Sequence, residues 1–189
     1  MSERYYDLDI KGCQRRLPIL NINDSLAIAA FVMLGDVELT EICAEELLPK
    51  VPQGTEVIMT AATKGIPLTA TLARRLGFAR YVVARKSIKA YMDEPLCVED
   101  ESITTAGKQR LYLMREDAEI MRGKNVLLVD DVISTGGSML AMRELVELAG
   151  GKTIGEMAVL AEGPAADRDD IMFLAPLPLF KATNTEGAS

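Results

Sequence analysis

The chain has 189 residues, 49% of them hydrophobic, a formal net charge of −7 and no histidine. That much apolar content excludes a disordered chain, and the length suits one domain with a real core. The acidic balance argues against broad nucleic-acid binding, and the missing imidazole removes histidine acid–base catalysis and the usual zinc sites. No apolar run reaches the ~18 residues needed to span a membrane. The charged stretch Met1–Asp7 lacks the apolar core of a signal peptide, so the expected location is cytoplasmic. Cys13, Cys43 and Cys97 are widely spaced without a CxxC pattern, and reduced, unpaired thiols are expected.

In chain order, Met1 to about Asn23 reads as short strands and turns. Asp24 or Ser25 is expected to cap a helix from Ala27 to Met33, broken at Gly35. Leu39, Ile42, Cys43 and Leu47 recur at helical spacing and predict a helix over Val37–Leu48. Pro49 and Pro52-Gln-Gly54 turn the chain into a short buried strand, Glu56–Thr60. A loop at 61–65, a helix from Ile66 to Leu76 ended by Gly77, and a strand Tyr81–Ala84 follow. Residues Ser87–Ala118 interrupt this pattern with Pro95, several acids and short alternating segments, and predict a long, partly mobile hairpin. Val126–Val129 resumes the sheet, then a helix at Met139–Ala149 stopped by Gly150-Gly151, and a strand at Thr153–Leu160. Asp167-Arg-Asp-Asp170 reads as a solvated turn, Ile171–Phe180 as an extended segment broken by Pro176 and Pro178, and the tail beyond Lys181 as frayed. The alternation of strand, loop and helix predicts an α/β fold with a parallel sheet of about five strands flanked by helices.

The most informative stretch is Val126-Leu-Leu-Val-Asp-Asp-Val-Ile-Ser-Thr-Gly-Gly-Ser138. A β-branched apolar run ends in two acids, then a hydroxyl- and glycine-rich turn opens a helix. Glycine lets backbone N–H groups converge on an anion at a helix N-terminus, and Ser134, Thr135 and Ser138 add hydroxyl donors. Asp130 and Asp131 suit the hydroxyls of a ribose. Acceptors for a diol beside donors for a phosphate fit a sugar phosphate.

This stretch resembles the signature of the type I phosphoribosyltransferases at all thirteen positions. The resemblance implies binding of phosphoribosyl pyrophosphate (PRPP) with Mg2+, through Asp130, Asp131, Val132, Ile133, Ser134, Thr135, Gly136, Gly137 and Ser138. Asp130 and Asp131 would reach the metal through water, with most metal ligands coming from the substrate. It places the pyrophosphate loop at Ala61-Ala-Thr-Lys-Gly65, where Thr63, Lys64 and Gly65 open a helix. Many purine members carry an acid or a serine where this chain has Ala62 or Thr63, a change that spares the backbone cradle. The family's basic pair falls on Arg85 and Lys86, with Lys89 beyond, and its catalytic loop on the Ser87–Ala118 insertion, where Glu99 or Glu101 would assist a proton on the base.

The same resemblance makes residues 1–36 a hood that selects a purine base, with Ile19, Asn21, Asn23 and Phe31 as base-binding candidates. Residues 37–180 become the PRPP-binding core and 181–189 a tail. Asp130, Asp131, Arg85, Lys89 and Glu101 are the expected catalytic residues. The stretches Arg15–Ile19, Phe31–Asp36 and Leu177–Phe180 resemble a bacterial and archaeal branch described as adenine phosphoribosyltransferases. That implies adenine plus PRPP giving AMP and pyrophosphate, in a homodimer without nucleic-acid or membrane partners. The alternatives are a xanthine or hypoxanthine/guanine enzyme, and a non-catalytic PRPP-sensing regulator.

Overall fold

The computed structural model describes residues 4–100 and 109–183. In chain order the elements are β1 (Tyr5–Ile10), β2 (Cys13–Asn21), β3 (Leu26–Ala29), α1 (Val37–Leu47), β4 (Val57–Ala61), α2 (Ile66–Arg75), β5 (Val82–Ala84), β6 (Leu96–Asp100), β7 (Gln109–Leu113), α3 (Arg115–Met121), β8 (Asn125–Ile133), α4 (Gly137–Leu148), β9 (Lys152–Glu162), β10 (Ala175–Leu177) and β11 (Leu179–Lys181). The fold is α/β. A parallel five-stranded sheet runs in the order β10-β9-β8-β4-β5. Among the described residues no helix is long and apolar enough to cross a membrane.

The central strands are apolar on both faces, as a parallel sheet covered by helices requires. On one face Val57, Met59, Val126, Leu128 and Ala158 pack with Met121 of α3 and with Met139, Met142, Leu145 and Val146 of α4. On the other, Ile58, Leu127, Val129, Met157 and Val159 meet Leu39, Cys43 and Leu47 of α1 and Leu68 and Leu72 of α2. Over this second face sits an antiparallel sheet, β1-β2-β3-β11, whose inward residues Leu8, Ile10, Cys13 and Leu17 join the same cluster.

The expected helix at Ala27–Met33 is instead strand β3 and an extended continuation. Ala27, Ala29, Phe31 and Met33 are buried in strict alternation, the period of a strand. Their helix-compatible side chains hide a period of two that pairing with β2 and β11 makes decisive. Asp24 and Ser25 cap nothing there. Asn23 Oδ1 accepts the N–H groups of Ser25 and Leu26 and shapes the β2–β3 turn.

Two further boundaries differ from the sequence reading. Strand β8 does not stop at the acids but runs through Ile133, because Val132 and Ile133 stay in register with Leu160 and Ala161 of β9. The segment Ile171–Phe180 splits at Pro178, which lacks an N–H for a ladder, so β10 ends the core sheet and β11 completes the hood.

The Ser87–Ala118 insertion contains the β6–β7 hairpin, and α3 begins inside it. Its base is not loosely held. Val98, Leu111 and Leu113 are buried in the core cluster beneath α4, and Arg85 and Tyr112 exchange backbone hydrogen bonds at 2.8 and 2.7 Å. Leu113→Ala should therefore destabilise the chain by about 2–5 kcal/mol. Leu148→Ala, at a side chain 60% exposed on α4, should change it by no more than about 0.5 kcal/mol. Urea denaturation of both variants checks this, and equal small effects would show that the hairpin base is not core.

Candidate active site

The carboxyl ends of β4, β5, β8 and β9 form one edge of the core sheet, where open α/β sheets place their ligands. Two loops converge there, 61–65 after β4 and 134–136 after β8. A Cβ on Gly65 would lie 2.3 Å from Thr60 Oγ1, 3.1 Å from Asp130 Oδ1 and 3.2 Å from Asp130 Cα, so only glycine lets the loop after β4 press against the end of β8. Gly136 has φ +85°, a left-handed conformation that turns the chain from β8 into α4.

The helix N-termini divide into two kinds. α1 is capped by Asp36, whose Oδ1 accepts the Leu39 N–H at 3.0 Å, and carries Glu38 in its first turn. α3 carries Glu116 and Asp117 in its first turn. By contrast, α2 and α4 begin at Gly65 and Gly136, with no side-chain cap and no acid in the first turn. At α4 the leading N–H groups and the positive dipole end are thus open to an anion, whereas at α2 the Ile66 N–H already donates to Thr63 O and Pro67 has none, so that end offers chiefly its dipole. Both lie at the same edge of the sheet, so the chain offers two anion cradles side by side. Ser134 and Thr135 are exposed at the mouth of the second, and Ser138 lies within the first turn of α4.

The paired acids sit between these cradles. Asp131 is 3% exposed, and Lys64 Nζ lies 2.8 Å from its Oδ2. That ammonium is the compensation for the buried charge, since Oδ2 accepts no well-directed hydrogen bond. Asp130 Oδ1 accepts the Asp131 N–H at 2.9 Å. Burial, and then the neighbouring Asp131 charge, push the Asp130 carboxyl up to about 8, against the attraction of Lys64. The donor set fits a hard divalent cation. It offers carboxylate oxygens, one of them short of donors, but among the described residues no cluster of three metal-ligating side chains. Mg2+ would be held by Asp130 and Asp131 with its remaining ligands from water or substrate.

Other expected site residues are placed as follows. Ala62 follows β4 directly beside Arg85, and its N–H donates to Ala84 O at 2.8 Å. Arg85 is half-buried with Nε lacking a partner, and its charge reaches Asp117 of α3. Lys86 and Lys89 are exposed. Glu101 lies outside the described residues.

In the hood, both asparagine carboxamides serve the chain's own backbone. Asn21 Nδ2 donates to Thr183 O at 3.0 Å and its Oδ1 accepts the Thr183 N–H, while Asn23 holds the β2–β3 turn. Phe31 is 4% exposed inside the hydrophobic cluster, and Ile19 pairs with Ala29 at the partly buried rim of that cluster. Asn21 and Asn23 thus help build the hood through their carboxamides, and Phe31 through its packing.

Sequence reasoning missed Glu162, the last residue of β9. It is half-buried, and burial raises its pKa while the charge of Lys64 opposes the rise. It is in register with Leu177, and the next residue, Gly163, packs against Leu179 of the hood. An acid at the end of a buried apolar strand is the signal that could have found it.

The Asp130 shift has a measurable sign. Its carboxyl holds a proton more tightly folded than unfolded, so protonation favours the fold. The penalty is full above about pH 8 and fades as pH falls toward the ordinary value of 3.8. Asp117 and Glu162, also raised by burial, act in the same direction. Asp36 and Asp170, held low by Arg15 and Arg168, lose their stabilising effect only at more acid pH. In EDTA and without ligand, the wild-type Tm should rise from pH 8.5 to pH 6. Asp130→Asn should raise Tm at pH 8.5 and flatten that slope, each pKa unit relieved being worth about 1.4 kcal/mol, or about 3–5 °C in Tm. A lower Tm for the variant at pH 8.5 would contradict the assignment.

Known proteins resemble this chain in sequence and fold. The sequence profile of the phosphoribosyl transferase domain matches residues 38–174. An adenine phosphoribosyltransferase of Corynebacterium efficiens is 29% identical over 126 residues, 67% of this chain and 60% of its own length. A hypoxanthine/guanine phosphoribosyltransferase of Methanocaldococcus vulcanius is 32% identical over 111 residues, 59% of this chain and 56% of its own length. The chain thus spans less than two thirds of the length of either relative. The crystal structure of adenine phosphoribosyltransferase from Thermoanaerobacter pseudethanolicus superposes with a TM-score of 0.63 at 28% identity, covering 76% of this chain and 84% of that one. With two uncapped helix N-termini flanking an acid pair, and a profile match over most of its length, the chain belongs to the phosphoribosyl transferase domain family.

Proposed function

We propose that the chain is a purine phosphoribosyltransferase that forms AMP and pyrophosphate from adenine and PRPP. The observation that carries the transfer chemistry is the pair of uncapped helix N-termini on either side of Asp130 and Asp131. PRPP is an anion at both ends with a diol between. The α4 N-terminus, with Ser134, Thr135 and Ser138, would take the 5′-phosphate. The α2 N-terminus and Lys64 would take the pyrophosphate, and the two carboxylates would accept the ribose hydroxyls. Bound Mg2+ would supply positive charge to the departing pyrophosphate.

Lys64 is half-exposed and pairs with Asp131 in the ligand-free chain. On substrate arrival it can swing from the carboxylate to a pyrophosphate oxygen, so its charge follows the negative charge that develops as the C1′–O bond breaks. The acids remain to hold the ribose, and N9 of the base bonds to C1′ as the C1′–O bond breaks, the ring N–H proton passing to water or to the departing pyrophosphate. Rate enhancement comes from this positioning and electrostatic stabilisation.

The base choice rests on different ground. Relatives include both adenine and hypoxanthine/guanine enzymes, and the solved structure above is an adenine enzyme. Glu162, at the seam between core sheet and hood, favours adenine over xanthine. A carboxylate accepts from an exocyclic amine, whereas xanthine presents two carbonyls and leaves such an acceptor facing acceptors.

Two measurements test the proposal. With PRPP and Mg2+, kcat/KM for adenine should exceed that for xanthine and hypoxanthine by at least about tenfold, or about 1.4 kcal/mol in transition-state binding. A preference for xanthine or guanine would leave the transfer chemistry standing and overturn the base. Gly136→Val forces a branched residue into a left-handed conformation in the phosphate loop. It should raise the KM for PRPP at least about tenfold while the circular dichroism spectrum persists. A folded variant with wild-type PRPP affinity would refute the phosphate assignment.

A further inference from the structure

The charge run Asp167-Arg-Asp-Asp170, a solvated turn by sequence, brings Arg168 to the phosphate loop. A Cβ on Gly136 would lie 3.4 Å from Arg168 Nη1, so the guanidinium rests against the residue that caps α4. Its orientation is fixed from behind. Nε donates to Asp170 Oδ1 at 2.8 Å and Nη2 to Asp170 Oδ2 at 2.7 Å, a fork-to-fork pair. Nη2 also reaches Glu156 Oε2 at 3.3 Å, and Glu156, 4% exposed, is held in turn by Arg143.

Nε and Nη2 are thus used, and among the described residues Nη1 has no hydrogen-bond acceptor. The unused nitrogen is the one that faces the loop. The four charges of Arg143, Glu156, Arg168 and Asp170 cancel, so the network is neutral and has no need of a further anion for its own sake. A dianion arriving at the α4 N-terminus would still meet an N–H donor already in place, on a side chain whose rotamer is locked before binding.

On the phosphoribosyltransferase reading, on which this role rests, we infer that Arg168 is a further 5′-phosphate ligand, donating from Nη1 across Gly136 and aimed by Asp170 and Glu156. It would join the loop amides and hydroxyls at the end of PRPP remote from C1′. Its contribution would be the same in ground and transition states, raising affinity and leaving turnover unchanged.

Titration calorimetry with ribose 5-phosphate and with pyrophosphate, each alone, separates this role from a structural one, because the two ligands occupy opposite cradles. Arg168→Gln should weaken ribose 5-phosphate binding by about 10–100-fold and leave pyrophosphate within about twofold. The KM for PRPP should rise with kcat unchanged. Arg168→Lys, which keeps the charge beside Glu156 but loses the fork, should fold like the wild type and still bind ribose 5-phosphate more weakly. Asp170→Asn, which keeps the arginine but loosens its aim, should give an intermediate loss. Wild-type ribose 5-phosphate affinity in Arg168→Gln would overturn the inference and leave the family reading intact. An equal loss of both ligands with a lowered Tm would also overturn it, showing that Arg168 only supports the loop. A wild-type chain that binds neither ligand would overturn both.

Discussion

The arrangement turns on two adjacent carboxylates near the end of a buried parallel strand. A charged carboxyl that is 3% exposed, as at Asp131, costs several kcal/mol unless something nearby compensates it. β8 itself supplies only the Asp131 N–H, and that goes to Asp130 Oδ1. The compensation comes from the loop after β4, which presses Gly65 against Asp130 and delivers Lys64 to Asp131 at 2.8 Å. Much follows from that contact. The loop must be short and start with small residues, α2 must begin at Gly65 itself, and its N-terminus must face the acids. The need of buried Asp131 for an ammonium thus goes with the position of the loop that opens α2.

The same constraint gives the site its polarity. α1 and α3 complement their dipoles with acids in the first turn, whereas α2 and α4 do not. Leaving a helix N-terminus bare forfeits up to about 1–2 kcal/mol that a cap could supply. Both bare ends lie at the carboxyl edge of the sheet, so the forfeited stability is concentrated where an anion can restore it. On the proposed function, part of the binding energy for a doubly anionic substrate would come from these uncapped helix ends rather than from mobile charge. Lys64 is the exception. It is half-exposed and able to exchange a carboxylate for a phosphate.

The parts legible in the sequence were those whose physics is local. The glycines of 134–138 announce a backbone conformation, the apolar run before them a strand buried on both faces, and the spacing of Leu39, Cys43 and Leu47 a helix. What was illegible depended on partners far along the chain. Ala27 to Phe31 are extended because β2 and β11 pair with β3, and β11 arrives from the other end of the sequence. Asn21 looked like a reader of bases until its carboxamide was seen to bind Thr183, 162 residues away. Arg168 looked solvated because the acid that helps hold it, Glu156, is buried on β9 among apolar neighbours. Glu162 lies beyond the strand read from the sequence, Thr153–Leu160, because β9 runs on to meet β10 at Leu177.

The hood and the core obey separate rules, which bears on how such a chain acquires its specificity. The proposed sugar-phosphate site is built from the ends of β4 and β8 and the helices that follow them, with no room for a Cβ at Gly65. The hood is a different sheet, joined to the core through packing on α1 and α2 and through the short link at Pro178. Tyr6 and Phe180 meet edge to face inside it, and Leu179 rests on Gly163 at its border. Side chains on the hood's rim can therefore change without moving either carboxylate or either helix N-terminus. Glu162 is placed differently. It belongs to a core strand, yet it ends beside the hood and feels the charge of Lys64. A change at this position would alter the electrostatics of the pyrophosphate loop as well as the face offered to a base. On the proposed function, recognition of the base would be coupled to the transfer chemistry at Glu162 and separable from it at the hood's rim.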